Sequence, residues 1–496
     1  MSATTLAHHI IAPPARRPDR RGITLGVVLC AQLMIVLDLT VVNVALPSIA
    51  HGLHFSASGL SWVLNAYSLT FGGLLLLGGR AGDILGRRRM FMAGLAIFTS
   101  ASLAGGLAPS AGWLLAARAI QGVGGAIASP TVLAMIVSSF PEGRERTKAL
   151  GIFTAVMMGG SSFGLVLGGM ITEWASWRWV LFINVPIGVA VLLAAPRLLP
   201  ESGRQPGRFD LAGAVSSTAG MTALVYGFIR ASADGWGNRG TIAAFAAAAV
   251  LLVAFVISEA RSPQPIMPLR LFTDRSRAAS YLARLLLVAG MFGMFFFLTQ
   301  FVQDVLGFSP LRAGIAFVPM TGALFTVSRL APRLVSRFGP KPLMVAGLLP
   351  VLAGMTWLAQ ISAGTSYLSG IFGPMLLLGI GMGVTFVPLT MASLAGVRPE
   401  DSGAASSMVN VSQQVGGSLG LAILVTVFGS ASRAAGHAVE SASPMVRAHQ
   451  VLVDAVGTSF FTAAIFDMIA LAVIVLVIEM RQLAASPARA DAAAEL

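Results

Sequence analysis

The sequence has little of what a soluble enzyme or a secreted protein needs. It contains a single cysteine, Cys30, which excludes an intrachain disulfide and gives no thiolate metal site. Only 11% of its 496 residues are charged, and only Lys148 and Lys341 are lysines. It has no Gly-x-x-x-x-Gly-Lys loop, which excludes an ATP motor of that kind, and its His-x-x-His pair, His51 and His54, has no further ligands nearby in the sequence. The sequence therefore predicts neither an enzyme nor a bound cofactor.

Apolar residues are what the sequence has in abundance. They make up 56% of the chain, and the mean hydropathy is +0.81, far above that of a soluble globular protein. This composition predicts an all-α polytopic membrane protein. The net charge of +13 could indicate nucleic-acid binding in a soluble chain. Here most basic residues fall in alternate loops and at both termini, which marks the cytoplasmic side of a membrane and argues against a nucleic-acid partner.

Apolar runs of about 20 residues, the length that crosses a bilayer, recur along the whole chain. They predict fourteen transmembrane helices near residues 24–48, 58–78, 90–108, 112–137, 150–172, 179–197, 211–231, 241–259, 280–303, 312–332, 342–362, 366–392, 403–428 and 457–480. Both termini are then cytoplasmic. A signal peptide is the alternative for the first run, but that run is too long and contains Asp38. The longest predicted loop, 429–456, holds His437 and His449 as exposed residues and is too short for a catalytic domain.

A glycine-rich basic loop follows the second predicted helix. Its glycines allow a tight reversal, and its arginines can contact lipid head groups. A fainter copy lies at 331–344, where Arg333 and Gly339 take the positions of Arg80 and Gly86. Because the loop lies at the inner membrane edge, we expect it to act on a conformational switch and not on substrate contact. The candidate switch residues are Gly79, Arg80, Asp83, Gly86, Arg87 and Arg88.

Two copies of one plan are typical of secondary transporters. The copies are eight predicted helices apart, so helices 1 to 6 and 9 to 14 form the two halves, and helices 7 and 8 are inserted between them. The predicted domains are a cytoplasmic tail at 1–22, a six-helix bundle at 23–198, a linker with the two inserted helices at 199–279, a second six-helix bundle at 280–480 and a cytoplasmic tail at 481–496.

Ionisable residues inside membrane spans cost about 2.5–3.5 kcal/mol to insert and are functional candidates for that reason. Three lie well inside the predicted spans: Asp38, Arg118 and Asp467. Asp38 is either a fixed partner of a cation such as Arg118 or a proton carrier, because burial favours the neutral acid and an approaching cation favours the anion. Asp467 is equally a second titratable site or a structural partner of another helix.

Small and polar residues follow helical spacing in three further segments. Arg118, Gly122, Gly125 and Ser129 share one stripe of the fourth predicted helix. In the fifth, Gly160, Gly164, Gly168 and Gly169 predict close approach of another helix. In the thirteenth, a polar stripe either lines a cavity or forms interhelical hydrogen bonds. The candidate cavity-lining residues are Asn43, Gln121, Asn410, Gln413, Gln414 and Asp467.

These motifs resemble those of the major facilitator superfamily, and in particular its fourteen-helix drug and proton antiporter branch. The basic loop resembles the signature between helices 2 and 3, and the run 37–47 around Asp38 resembles the helix 1 signature. The run 114–125, in which Arg118 precedes Gln121-Gly122, resembles the helix 4 motif. The glycines from 160 to 169 and the stretch 173–188 resemble the antiporter signature of helix 5, with Leu165 where the signature has proline.

The resemblance implies a major facilitator fold and a proton-driven exporter of amphipathic organic compounds such as antibiotics, drugs and dyes. It implies that Asp38 and Arg118 carry the proton coupling. The expected partners are a small organic substrate, protons and the lipid bilayer of the plasma membrane, with the chain a monomer. Two alternatives stay open: a narrow-range exporter of a metabolite or self-made antibiotic, and a membrane sensor that uses a transporter fold without transporting.

Overall fold

The computed structural model describes residues 21–140, 144–199, 201, 209–262, 265–398, 401–438 and 444–479, and its regular structure is entirely helical within these ranges. The long helices are α1 (Arg21–Leu53), α2 (Trp62–Leu85), α3 (Arg87–Gly106), α4 (Ala111–Ser139), α5 (Arg144–Trp174), α6 (Asn184–Leu198), α7 (Leu211–Asp234), α8 (Arg239–Arg261), α9 (Arg275–Gln300), α10 (Val318–Phe338), α11 (Pro340–Leu358), α12 (Gly373–Leu394), α13 (Ser402–Ala438) and α14 (Pro444–Val477). Short helical turns lie at Ala57–Leu60, Trp179–Phe182, Leu269–Phe272, Phe301–Val305, Pro310–Ala316 and Leu368–Phe372. The predicted all-α class is confirmed; the predicted tails lie almost wholly outside the described residues.

Twelve helices in the described part of the chain are long and apolar enough to cross a membrane. The two long helices outside this set are α3 and α5. Helix α3 opens with Arg87, Arg88 and Arg89 and is rich in glycine, serine and threonine, while α5 has several charged residues in its first turns and is strongly apolar only over Phe163–Trp174. Apolarity therefore supports twelve spans and does not confirm the predicted fourteen.

The two basic loops have the same backbone geometry. Helix α2 ends at Gly86, with a φ of 105°, and α10 ends at Gly339, with a φ of 82°. Residues with a Cβ rarely adopt such a positive φ, so both reversals of chain direction need glycine. We call the end of the bundle that carries Gly86 and Gly339 the inner end, and the opposite end the outer end.

Helix packing also repeats along the chain. In the first half α1 packs on α5 and α6, α2 packs on α4, and α3 packs on α4 and α6. The second half repeats these pairs eight helices later: α9 packs on α13 and α14, α10 on α12, and α11 on α12 and α14. Helices α7 and α8 pack on each other, and α7 lies against α2 and α13, one helix from each set.

The most extensive apolar cluster shared by the two sets of helices lies in the outer part of the first set, and a smaller one joins Leu69 of α2 to Ala422 of α13 through α7. The largest cluster of buried side chains joins the second half of α1, from Leu37 to Leu53, to residues of α9 to α14. The first half of α1, from Leu25 to Ile35, belongs to a separate cluster whose buried members come from α1 to α6. Apolar burial thus holds the halves together at the outer end.

The prediction of a long loop at 429–456 was wrong. Helix α13 continues to Ala438 and α14 begins at Pro444, so His437 and His449 lie in helices. The error has a physical cause: apolar runs mark the part of a helix inside lipid, whereas backbone hydrogen bonding can continue beyond it through polar residues such as Arg433.

Candidate functional site

Asp38 lies in the middle of α1 and is only 1% exposed. Its Oδ2 accepts a hydrogen bond from Arg118 Nη1 at 2.5 Å, which makes a buried ion pair. Its Oδ1 accepts from Gln121 Nε2 at 2.6 Å and from Asn184 Nδ2 at 3.0 Å. Three donors from α4 and α6 therefore surround the carboxylate of α1, an arrangement that fits an ionised acid.

Arg118 is held as firmly as Asp38. Its Nε donates to the Val63 carbonyl at 3.0 Å, its Nη1 also donates to Gln121 Oε1 at 2.8 Å, and its guanidinium stacks over the Tyr67 ring at 4.5 Å. Its Nη2 has no partner within the described structure. A buried ion pair is costly to break from one side, because the partner charge is then left without compensation.

Small residues on α4 let α2 come close enough to complete this site. A Cβ on Gly122 would collide with Thr70 and with the carbonyl oxygen of Tyr67, and one on Gly125 would lie 2.9 Å from the Phe71 ring. The stripe predicted on the fourth helix is thus a helix contact that places Tyr67 over Arg118. Ser129, at the end of the stripe, donates to Gln32 of α1 at 3.4 Å.

Sequence reasoning missed two members of the network. The sequence places Asn184 in a family-like motif without predicting it as a ligand of Asp38, and it gives no prediction for Ser102. Ser102 Oγ accepts from Gln121 Nε2 at 2.7 Å and from Asn184 Nδ2 at 3.3 Å, so it ties α3 to the carboxylate ligands. The signal that could have found Asn184 is that it is a lone amide in an apolar run.

Three of the predicted glycines of α5 bring that helix against α1. Gly160 lies beside Leu33 and Val36, Gly164 beside Thr40, and Gly168 so close to Val41 that a Cβ would sit 2.7 Å from its carbonyl oxygen. These contacts flank Asp38 on both sides along α1. Gly169 faces elsewhere, against the backbone of Pro310 and Leu311 in the second half.

Polar contacts between the two halves lie at the outer end. Gln303 Nε2 donates to the Val44 carbonyl of α1 at 2.9 Å. The backbone N–H of Leu311 donates to Glu173 Oε2 of α5, also at 2.9 Å. Close by, a Cβ on Gly314 would collide with the carbonyl oxygen of Leu165. The antiporter-like end of α5 is therefore part of a contact between halves.

The predicted switch residues make their described contacts inside the first half. Asp83 pairs with Arg87 at 3.0 Å, and Arg87 also donates to the Ala134 carbonyl of α4 at 3.3 Å. Arg88 donates to the Leu199 carbonyl at 3.2 Å and lies 3.5 Å from Glu201. Of the other switch residues, Gly79 lies beside Pro130, Gly86 lies beside Glu201, and Arg80 is half-buried on α2.

The candidate cavity-lining residues do not share one environment. Gln121 belongs to the Asp38 network, and Asn43 is half-buried and donates to the Leu39 carbonyl of its own helix at 3.1 Å. On α13, Asn410 is exposed, Gln413 is half-buried, and Gln414 is buried against Gly72 of α2. Cavity lining stays a prediction for these residues.

A buried cation in the second half was also missed as a site candidate. Arg284 of α9 is 4% exposed; its Nη2 donates to Thr390 Oγ1 at 2.5 Å, and its guanidinium lies over the Phe386 ring at 5.4 Å. Its place near the start of the ninth predicted span concealed it, because arginines there commonly reach the membrane surface.

At the inner end of the second half, Arg270 holds Asp401 in a two-pronged ion pair. Arg270 Nε and Nη2 donate to the two carboxylate oxygens at 2.8 and 2.6 Å. These hydrogen bonds hold the pKa of Asp401 below its ordinary value of 3.8. The described residues contain no group of three or more His, Cys, Asp or Glu side chains that could hold a metal ion.

The apolar helices form two repeats that contact each other through polar groups, and the first repeat contains a buried ion pair. This is the architecture of a membrane transporter and not of an enzyme. The chain belongs to the Major Facilitator Superfamily, whose family model matches residues 28–421.

Its relatives include drug resistance and export proteins. It is 43% identical to the puromycin resistance protein of Streptomyces alboniger, over 84% of each chain. It is 44% identical to the cephamycin export protein of Amycolatopsis lactamdurans, over 81% of this chain and 83% of the relative. It is 35% identical to the multidrug resistance protein Stp of Mycobacterium tuberculosis, over 79% and 73%. These relatives place the chain in the drug efflux branch of the superfamily.

Solved structures share the fold at low sequence identity. A bacterial homologue of the human lysosomal transporter Spinster, in an inward-facing conformation, superposes with a TM-score of 0.65 at 16% identity and covers 95% of this chain and 100% of its own. A D-xylose and proton symporter gives a TM-score of 0.62 at 16% identity, over 93% and 98%. The predicted major facilitator fold is confirmed.

Proposed function

We propose that this chain exports amphipathic organic compounds, antibiotics among them, in exchange for protons. The observation that carries the proposal is the Asp38–Arg118 ion pair, buried at mid-helix and completed by Gln121 and Asn184. Relatives named for resistance to or export of puromycin, cephamycin and multiple drugs support the substrate class.

The ion pair can couple proton binding to helix movement. While Asp38 is ionised, Arg118 holds α1 against α4. A proton on Asp38 removes the charge attraction and turns one of its oxygens into a donor, so the three surrounding donors no longer fit it. The free energy of α1 relative to α4 then depends on whether Asp38 carries a proton, which is what coupling requires.

Helix α1 also reaches the outer contact between halves. Val44, whose carbonyl accepts from Gln303, lies six residues beyond Asp38, or about 9 Å along the helix axis. A shift of α1 on proton binding would act directly on this contact. The inner loop with Asp83, Arg87 and Arg88 would act at the opposite end, as a switch that stabilises one arrangement of the first half.

We further propose fourteen spans, with α3 and α5 crossing the membrane beside the twelve more apolar helices. Both are packed on spanning helices: α3 on α4 and α6, and α5 on α1. The repeated pairing supports two six-helix bundles at 23–198 and 280–480, with α7 and α8 as the inserted pair. The basic inner loops support an inner end in the cytoplasm, with both termini on that side of the plasma membrane.

Transport by the purified chain in lipid vesicles tests the proposal. Puromycin is applied to one side, and a pH-sensitive dye reports proton movement on the other. We expect proton movement opposite to that of puromycin, none in empty vesicles, and none in vesicles with Asp38→Asn. If neither puromycin nor a panel of cationic dyes moves protons through the wild-type protein, drug and proton exchange is not its function.

A narrow substrate range is the second candidate. Several relatives are named for one antibiotic each, including tetracenomycin C and lincomycin. The same vesicles distinguish the two, since a narrow-range exporter would respond to one member of a panel of unrelated drugs and a multidrug exporter to many.

A further inference from the structure

Asp467 is a buried acid well inside α14 that stands apart from the Asp38 network. It lies on the face of α14 that also carries Ala463, Ala470 and Ile474, all fully buried, and is itself 1% exposed. Neither of its carboxylate oxygens has a hydrogen-bond partner in the described structure. Asp38 and Asp467 are thus opposites: Asp38 accepts three hydrogen bonds, and Asp467 accepts none in the described structure.

The depth of Asp467 follows from the contact between α14 and α9. The backbone N–H of Glu479 donates to Ser276 Oγ at 3.0 Å, which fixes the inner ends of these antiparallel helices beside each other. Asp467 lies ten residues before Val477, the last residue of α14, or about 15 Å along the axis, near the middle of a bilayer about 30 Å thick. Water at the membrane surface is too far away to solvate it.

Gly290 of α9 provides the space for the Asp467 side chain. A Cβ at position 290 would lie 3.5 Å from Asp467 Oδ1 and from the Ala463 carbonyl oxygen. A Cβ there would be in ordinary van der Waals contact with the carboxyl, so only a side chain larger than that of alanine would crowd Asp467.

Among the described side chains, cations included, none donates a hydrogen bond to Asp467. On α9, Arg284 faces Thr390 and Phe386, Arg277 donates to the Ala395 carbonyl, and Tyr281 donates to the Ser393 carbonyl. On α14 itself, Asp454 is exposed near the outer end. At the inner end, Arg275 is exposed at the first residue of α9, and Lys341 of α11 donates to the Val475 carbonyl. At the outer end, Arg433 of α13 donates to the Ser232 carbonyl, and Asp304 is exposed in the π-helical turn after α9.

An isolated carboxylate in such surroundings would carry a large desolvation cost, so the group is held there as the neutral acid. We propose that Asp467 binds a second coupling proton, at a site distinct from Asp38, and exchanges it with water only when α9 and α14 rearrange in the transport cycle that proton binding to Asp38 drives. The proposal rests on proton-coupled export as the function of this chain, and it assigns one proton site to each half.

Infrared spectroscopy of the purified full-length protein tests the protonated state without any transport. The carbonyl stretch of a protonated carboxylic acid is expected in the wild type, absent in Asp467→Asn and shifted in Asp467→Glu. The matched control is Asp454→Asn, which removes an exposed carboxylate from the same helix and should leave the band unchanged. If Asp467→Asn removes no such band from the wild-type spectrum, Asp467 is ionised, and the proposal is overturned.

Exchange into heavy water then separates a working proton site from a permanently neutral acid. In deuterated buffer the band should shift slowly in the resting protein and much faster during turnover with puromycin. A band that shifts at the same rate with and without substrate would show that Asp467 takes no part in the cycle.

Accumulation in vesicles measures the number of protons. Each coupled proton multiplies the limiting accumulation ratio of substrate by about tenfold for each unit of imposed pH difference. Asp467→Asn should keep substrate binding and uphill transport but lower this ratio by about tenfold per pH unit, whereas Asp454→Asn should not. An unchanged ratio in Asp467→Asn would refute the second site. A failure of the proposed function is distinguishable from a failure of this inference. The infrared band reports the protonation of Asp467 whether or not Asp38 couples transport to protons.

Discussion

Gln303 Nε2 donates a hydrogen bond to the Val44 carbonyl at 2.9 Å and so joins the second half of the chain to the helix that carries Asp38. The accepting carbonyl of Val44 lies three residues before Pro47, whose missing N–H leaves the neighbouring Asn43 carbonyl without its usual helical donor. Because residue 47 would otherwise donate to the Asn43 carbonyl, the helix is already weakened here. The outer contact is therefore made where α1 is most easily deformed.

Gln303→Leu should weaken the outer contact and favour the arrangement in which the outer ends separate. Leucine has a similar volume but cannot donate, so the Val44 carbonyl loses one hydrogen bond, worth about 0.5–1.5 kcal/mol. Fluorophores placed on the outer ends of α1 and α10 would report a larger mean separation. Gln360→Leu, at an exposed glutamine elsewhere on the outer side, is the control and should leave the separation unchanged.

Gly168→Ala should impair both stability and transport. Its Cβ would lie 2.7 Å from the Val41 carbonyl oxygen, so α1 or α5 must move, at a cost of about 1–3 kcal/mol. Gly151→Ala on the same helix is the matched control, since a Cβ there meets nothing within 4 Å. Thermal unfolding in detergent should show a lower Tm for Gly168→Ala and an equal or higher Tm for Gly151→Ala. Equal losses in both would show that the close α1–α5 contact is not what matters.

The Arg270–Asp401 ion pair predicts a pH dependence of stability. Because hydrogen bonds from Arg270 hold the pKa of folded Asp401 below 3.8, the pair stabilises the folded protein above that pH, and this contribution is lost as the pH falls through the lower folded-state pKa. Asp401→Asn should lower the Tm at neutral pH, and the difference from wild type should shrink in acid. Asp454→Asn should show no such narrowing. A difference that is constant with pH would contradict the assignment.

Topology is testable with one reagent. In a Cys30→Ser background, a membrane-impermeant thiol reagent applied to intact cells should label Trp236→Cys, in the turn between α7 and α8, and spare Arg337→Cys at the inner end of α10. This pattern follows from an inner end in the cytoplasm. Labelling of position 337 and not of 236 would reverse the orientation.

The sequence was sufficient to predict the all-helical class, the family and the burial of Asp38, Arg118 and Asp467, because charges in apolar runs and glycines at turns are local signals. It was not sufficient to find Asn184 as a ligand of Asp38, because the two residues lie on α6 and α1 and meet only through packing. The contacts of Gln303 with Val44 and of Glu173 with Leu311 were hidden for the same reason. Helix ends were misplaced at 429–456 because apolarity reports lipid contact and not backbone hydrogen bonding.

Asp38→Asn is the substitution that tests the proposed mechanism most directly. Asparagine has nearly the volume of the acid and no charge, so it mimics the protonated form and creates no cavity. It also leaves Arg118 without its counter-ion, a change that the remaining contacts to Val63, Gln121 and Tyr67 must absorb. We expect a folded protein that still binds substrate and exchanges it passively but no longer accumulates it against a gradient.

Two further variants separate loss of coupling from loss of structure. Asp38→Glu keeps the charge and should retain part of the uphill transport, whereas Asn184→Ala removes one donor, keeps the ion pair and should shift the pH dependence of transport without abolishing it. Substrate binding and Tm are measured alongside, so that a misfolded variant is recognised. If Asp38→Asn drives uphill export with an unchanged pH dependence, Asp38 is a structural partner of Arg118, and the coupling proton must be carried elsewhere, with Asp467 as the next acid to replace.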